Sequence, residues 1–373
     1  MPDPLRVCVV GMTFGLSHAR AWRRLEPRVR LVAIADMDPS KHEKLLADPE
    51  SEILKDRPPL ALYEDAVGMM DREEPDVISI AVRPSLNLTL VPEAARRGIH
   101  VVCEKPMATT LQDADRMIRA CRDAGVKLAV GHQRRNALHP YARAAALVSE
   151  GRIGRLTHMT GLWPHTVPED RGMDFVEAYG GGNVMFLGTH VFDLFRYYAG
   201  DATWVAADLE RRYAGPGPET GARVWFGFRN GVSGYYEQDE NQGVTFGEVS
   251  GEVVCLYGEE GCIRMPARGR RLYLKTKARP AWEEIPYNVS EAEVRDVGVR
   301  AAREAFLDLI EGKPSAVSTG EDGRAALEMA LAAYESNRLG GARLALPAEI
   351  QGNPMMRALQ ESPATFMGRV PGW

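Results

Sequence analysis

Ile99-His100-Val101-Val102-Cys103-Glu104-Lys105-Pro106 is the stretch on which the reading of this chain turns. Its first five residues form an apolar run of strand length. The run ends on a glutamate and a lysine. A buried strand that ends in charge fits the carboxyl edge of a parallel sheet, where doubly wound folds bind their ligands. A lysine there offers a movable ammonium that can hydrogen-bond a substrate oxygen and help move a proton. Pro106 fixes the backbone just beyond it and removes a donor. The weight of this tripeptide comes from what stands on either side of it.

Upstream, residues 5–10, 29–35 and 77–82 are apolar runs of strand length, and residues 127–131 supply another downstream. Helices are expected at 17–25, after Asp38-Pro39-Ser40, at 66–73, around 92–97 and at 111–124. Alternating units of this size imply an α/β fold with a parallel sheet and helices on both faces. After Pro140 the pattern changes. A helix at 141–150 precedes a mostly strand-like stretch to about residue 288, where Arg229-Asn230-Gly231 suits a hairpin. One helix, 182–199, interrupts that stretch, and helices at 299–311 and 322–339 close it. A second, α+β domain with a large, mostly antiparallel sheet follows. The expected bounds are 1–131 for the first domain, 132–347 for the second, and 348–373 for an irregular tail. Met355, Met356 and Phe366 suit that tail to packing on the body or on a neighbour.

The 373 residues are 45% hydrophobic and 26% charged, the composition of a globular protein with a large core. A net charge of −5 with dispersed arginines argues against a nucleic-acid surface. The five cysteines form no CxxC pair, and Cys8 and Cys103 fall inside expected strands, as small buried residues in a reducing compartment do. No apolar run reaches membrane-spanning length. A strand that starts by Leu5 leaves no room for a signal peptide, so a cytoplasmic protein is expected.

Gly11-Met12-Thr13-Phe14-Gly15 follows the first strand and leads into a helix, the setting in which backbone amides hold a pyrophosphate. Thr13 stands where a dinucleotide loop usually has its middle glycine, and the loop is short. A tight strand-to-helix turn would read the same way. Asp36 ends the second strand, where a carboxylate accepts hydrogen bonds from a ribose diol and repels a 2′-phosphate. It is also placed to act as a turn residue before Pro39. Together these residues point to NAD(H) in preference to NADP(H).

With Glu104-Lys105-Pro106 added, the chain resembles the Gfo/Idh/MocA family, the glucose–fructose oxidoreductase and inositol dehydrogenase group. The motifs are the loop from Gly11 to His18, Ala33-Ile34-Ala35-Asp36, the segments 77–86, 98–107 and 131–135 with Pro140, and Gly180-Gly181-Gly182 followed by His190 and Asp193. The likeness runs from about Leu5 to Pro347. It implies an N-terminal Rossmann domain, and a C-terminal domain whose open sheet makes dimer or tetramer contacts. It also implies a nicotinamide cofactor and hydride transfer at a carbinol carbon of a sugar, cyclitol or sugar derivative. By motif match Lys105 contacts the substrate oxygen and His190 transfers the proton. Val82, Arg83, Asn87 and Glu104 join Gly11, Thr13, Phe14, Gly15 and Asp36 on the cofactor side.

A histidine near neutral pKa is suited to take a hydroxyl proton. A histidine among Val191, Phe192, Leu194 and Phe195 is also what a satisfied core residue looks like. Asp193 orients His190 or suits its helix electrostatically. Where the family carries an aspartate four residues before the histidine, this chain has Phe186, which implies a substrate other than a simple inositol. Trp163, His165, Arg171 and Asn183 complete the substrate candidates, and Arg134 and Arg135 either bind substrate or bridge domains. No metal is expected. Two rival functions share the fold: a redox-neutral, NAD-dependent glycoside-cleaving enzyme, and a non-catalytic cofactor- or sugar-sensing regulator.

Overall fold

The structure is a computed structural model that describes residues 3–48, 50–55, 59–136, 140–164, 172–211, 217–239, 253–266, 271–286 and 294–361. The chain divides into two compact units. The first comprises 1–107, 113–136 and 295–323, and the second 108–112, 137–294 and 324–373.

Among the described residues the first unit forms a six-stranded sheet. Its strands are β1 (Leu5–Val10), β2 (Val29–Ala35), β3 (Ala61–Tyr63), β4 (Val77–Ile80), β5 (His100–Cys103) and β6 (Leu128–Val130). All neighbours pair in parallel, in the order β3-β2-β1-β4-β5-β6. Both faces of these strands are covered, which is why they read as continuous apolar runs. The order reverses direction between β1 and β4, the switch point beside which open parallel sheets bind their ligands. β3 was not expected; it is three half-buried residues at the sheet edge.

Helices form where the sequence starts them. α1 (Gly15–Arg23) buries Ala19 and Trp22, and the Trp22 indole donates to Ser79 Oγ at 2.9 Å on β4. Asp38 caps α2 (Pro39–Leu46) by accepting from Ser40 N, with Pro39 at its first turn. Asp65 does the same for α3 (Ala66–Glu73), accepting from Val67 N and Gly68 N.

The expected boundary at residue 131 is not where this unit ends. The helix Val294–Ile310 returns to it, and Phe306 and Leu307 join Val7, Val9, Trp22, Ile34, Val102 and Ala129 in one apolar cluster. The return was hidden because that helix carries the same apolar spacing as any helix of the second unit.

Among the described residues the second unit is built on a nine-stranded sheet, in which β7 (Leu156–Pro164) pairs in parallel with the strand Ser233–Asp239 and every other pairing is antiparallel. The Arg229–Gly231 turn is a hairpin as expected, closed by Phe228 N to Val232 O at 2.9 Å. The helix expected at 182–199 is broken into two pieces. A wide π-type turn, Val184–Gly188, runs into the α-helix Thr189–Ala199, and a separate helix, Met173–Tyr179, precedes both. Phe192 and Phe195 of the long helix meet Phe226 and Tyr236 of the sheet edge-on, with ring centroids 4.9 to 6.4 Å apart.

The tail is not irregular throughout. Pro354–Glu361 is a helix with Met355 and Leu359 buried, because its apolar residues recur at helical spacing. Asn353 ties it down by donating to the carbonyls of Thr109 (2.9 Å) and Gly180 (2.6 Å). Phe366 lies outside the described residues. Among the described residues no helix is long and apolar enough to cross a membrane.

Phe306→Ala should cost about 3–5 kcal/mol by emptying a fully buried site in the first unit. The check is a urea denaturation curve. An unchanged midpoint would mean that the returning helix is not part of that core.

Candidate active site

The β1–α1 loop and the β4 end meet at the carboxyl edge of the first sheet. Gly11 sits at φ +93°, where L side chains are strained, and a Cβ there would collide with the Ala81 carbonyl and touch Val82 Cγ1 at 3.3 Å. Gly15 lets α1 lie close on β1, since its Cβ would meet Val9 Cγ1 at 3.2 Å. Phe14 offers α1 no side-chain cap, and the first turn holds no acidic residue, so the helix presents its amides to an anion. Thr13 is exposed on the loop, and Phe14 is half-buried, edge-on to the His18 ring.

Asp36 joins this group. Its carboxylate accepts from Met12 N at 2.7 Å, Asp38 N at 3.1 Å and Lys41 Nζ at 2.9 Å. Burial opposes its charge, but the Lys41 ammonium and the two amides outweigh burial and hold the carboxyl below its usual range. Loop, glycines and carboxylate thus stand together as a dinucleotide site requires. Arg83 is exposed at the start of α4 (Pro84–Arg96). Asn87 on that helix is fully buried, and its Nδ2 donates to the Met107 carbonyl at 2.9 Å, so it braces the segment after Lys105.

Lys105 follows directly on the end of β5. Burial pushes its ammonium down to about 8, against the pull of the Glu104 carboxylate, with Arg134 adding to the fall. Glu104 is packed against Gly131, where any side chain would strike its carboxylate, and His18 Nε2 lies 3.1 Å from its Oε1. One guanidinium nitrogen of the buried Arg303 lies 2.9 Å from the His18 ring nitrogens. Burial and Arg303 lower His18 to about 4, so the ring is neutral. A carboxylate only accepts and a guanidinium only donates. Nε2 therefore carries the proton that His18 gives to Glu104, and Nδ1 accepts from Arg303. Burial also opposes ionisation of Glu104, but the His18 hydrogen bond and the neighbouring cations hold its carboxyl below the ordinary range. Sequence reasoning passed over Arg303. Its one signal is a place three residues before Phe306, on the face that enters the core.

In the second unit, His190 and Asp193 are both buried on the helix Thr189–Ala199. Trp163 is buried on β7. Phe186 lies in the π-type turn, T-shaped against Phe175 (5.8 Å) and Tyr179 (4.9 Å), so three rings from two elements form one aromatic cluster. Asn183, just before that turn, is fully buried, and neither side-chain amide atom has a hydrogen-bond partner among the described residues. His165 and Arg171 lie outside the described residues.

The glycine run Gly180-Gly181-Gly182 is packed from within the protein: Gly180 lies against Thr109, Gly181 against Tyr334 and Gly182 against the Glu219 carboxyl. Glu219 is fully buried, and burial pushes it up to about 7 against the Val184 amide and Tyr334. Nothing in the local sequence marks it, since a lone glutamate in a loop is ordinarily solvated. Among the described residues no cluster of His, Cys, Asp and Glu could hold a metal ion.

Residues 5–132 match the family description "Oxidoreductase family, NAD-binding Rossmann fold", and residues 141–264 match "GFO/IDH/MocA C-terminal domain". The chain is 26% identical to the D-apiose dehydrogenase of Paraburkholderia graminis over 343 residues, covering 88% of this chain and 86% of the relative. It is 31% identical to the 1,5-anhydro-D-fructose reductase of Ensifer adhaerens over 291 residues, 75% of this chain and 81% of that one. The fold is similar to that of a levoglucosan dehydrogenase solved with NADH and levoglucosan, with a TM-score of 0.79 at 20% identity over 93% of this chain and all of the other. The glycine loop, the Asp36 carboxylate and these matches agree: the chain belongs to the Gfo/Idh/MocA family of NAD-binding oxidoreductases.

Proposed function

We propose that this enzyme moves a hydride between NAD and a carbinol carbon of a sugar, cyclitol or sugar derivative. The observation that carries the reading is Lys105. A partly buried ammonium brought to about 8 stands on the same sheet edge as the dinucleotide loop and Asp36. When bound, NAD supplies the hydride acceptor. The chain supplies the rest. Gly11, the α1 amides and Asp36 hold the dinucleotide, Thr13, Phe14, Val82 and Arg83 line its approach, and Asn87 and Glu104 brace the lysine segment. Lys105 donates a hydrogen bond to the substrate oxygen. His190 takes the hydroxyl proton in oxidation and returns it in reduction. Asp193 orients His190, and Asn183 and Trp163 bind substrate, with His165 and Arg171 candidates for the same task. The relatives' named substrates, D-apiose, 1,5-anhydro-D-fructose and levoglucosan, support a polyhydroxylated ring or its near kin. Cytoplasmic action and a dimer or tetramer formed through the nine-stranded sheet belong to the same reading.

The direct test is mass spectrometry of nucleotide released from the denatured protein, followed by an NADH assay on those three compounds. Lys105→Ala and His190→Ala should each lower kcat by about 10²–10⁴-fold, and the double variant should lose little more if both serve one proton transfer. Near-wild-type kcat in either single variant would remove that residue from the mechanism. In the reductive direction kcat/KM should fall as pH rises through about 8, where Lys105 loses its proton, and Lys105→Ala should lack that limb.

NAD(H) should bind more tightly than NADP(H), and Asp36→Ala should weaken NAD and narrow the gap. Calorimetry that finds NADP(H) the tighter ligand of the wild type would overturn the assignment of Asp36.

Phe186 puts an aromatic edge where the family has a carboxylate, which suits the apolar face of a pyranose. Phe186→Asp should lower kcat/KM for the natural substrate and raise the kinetic pKa of the base. Brisk oxidation of myo-inositol by the wild type, with both parameters unchanged in the variant, would make Phe186 ordinary packing.

A further inference from the structure

The second unit buries a carboxyl group that the proposed chemistry does not use. Glu219 Oε1 accepts from Val184 N at 2.6 Å and from the Tyr334 hydroxyl at 2.9 Å. The same hydroxyl accepts from Gly182 N at 2.9 Å. Both amides belong to the entry of the wide turn Val184–Gly188, which continues into the helix of His190. The glycines are what admit this pair, since Cβ atoms at 181 and 182 would occupy the space of the phenol and the carboxyl. A wide turn has spare amides and a looser ladder than an α-helix, so its shape depends on what its first amides hold.

We propose that Glu219 is a positioning residue for His190: with Tyr334 it fixes the entry of the π-type turn and thereby the setting of the histidine helix. The proposal rests on the reading of His190 as the proton-transfer residue. The groups around the carboxyl are the Tyr334 phenol, the amides of Gly182 and Val184 and, one residue along, the Arg211 guanidinium, which donates to the Pro218 carbonyl at 2.6 Å. With no cation on the carboxyl itself among these, burial dominates and raises Glu219 to about 7. The ordinary value is 4.5, so the folded state is favoured below that pH, and this advantage is lost as pH rises to about 7.

The test uses full-length, NAD-loaded protein and three readouts. The first is hydrogen exchange of the Val184–Leu187 amides, and the second is diethylpyrocarbonate labelling of His190, read by peptide mass spectrometry. The third is kcat on whichever of D-apiose, levoglucosan and 1,5-anhydro-D-fructose the wild type turns over. Glu219→Ala should speed exchange at those amides about tenfold and change His190 labelling, because a buried amide loses its acceptor. It should lower kcat about tenfold while KM for NAD stays within about twofold. Glu219→Gln keeps an acceptor oxygen and should recover most of all three. The gap in thermal midpoint between Glu219→Gln and wild type should move against the wild type from pH 4.5 to about 7 and level off above. If Glu219→Ala does not fold, Tyr334→Phe carries the same readouts with an effect of about threefold. A lower midpoint with exchange, labelling and kcat unchanged would leave Glu219 a stabilising residue only and overturn the proposal. His190→Ala separates the two ideas. If it turns over normally, the reading of His190 fails, while exchange and labelling still decide what Glu219 positions.

Discussion

A carboxylate cannot stay charged inside a protein unless its neighbours replace the water it has lost, and in the first unit that requirement falls on Glu104. Its answer is a chain in which two fully buried groups, Arg303 and His18, lead to the half-buried Glu104. Arg303 donates to a neutral His18, and His18 donates to Glu104. The three come from the helix behind the dinucleotide loop, the end of β5 and a helix 285 residues from His18. Because the ring is held neutral, it has one N–H to give and one lone pair to offer, so each partner has a single place to stand. The lysine that follows Glu104 inherits that order. The return of the helix Val294–Ile310 is thus a condition of the site as well as a contribution to the core.

The second unit meets the same problem by different means. Glu219 has no cation on it in the described structure, only amides and a phenol, and so it rides near neutrality rather than staying firmly ionised. Each carboxyl is shaped by a glycine that leaves it room, Gly131 for Glu104 and Gly182 for Glu219. Space for a buried acid is therefore a sequence feature, but one written as a missing side chain far from the acid it serves.

That explains what could and could not be read from the chain alone. The parallel sheet was legible because β1, β2, β4 and β5 are apolar on both faces and their helices start at Asp38 and Asp65 or end at glycines. The gathering of Gly11, Gly15 and Asp36 was legible because a loop and a strand end have fixed places in that topology. The break of the histidine helix at Val184–Gly188 was not, since a π-type turn differs from an α-turn by one hydrogen-bond step and leaves the apolar spacing intact. Arg303 and Glu219 were hidden for a stronger reason. A charged residue is expected in solvent, and only long-range contacts reverse that expectation. The glycine run was visible only as a motif, and its openness is toward Thr109, Tyr334 and Glu219.

Lys41 on Asp36 bears on how this protein stands among its possible descendants. On the proposed reading, discrimination against a phosphorylated ribose rests on one carboxylate, and that carboxylate already holds an ammonium five residues along the chain. Take the carboxylate away and the ammonium remains, released and close to where an extra phosphate would sit. The proposed preference is therefore one substitution deep. A lineage under pressure to draw on the other nicotinamide pool would need to lose a charge at Asp36, without first inventing a cation to replace it.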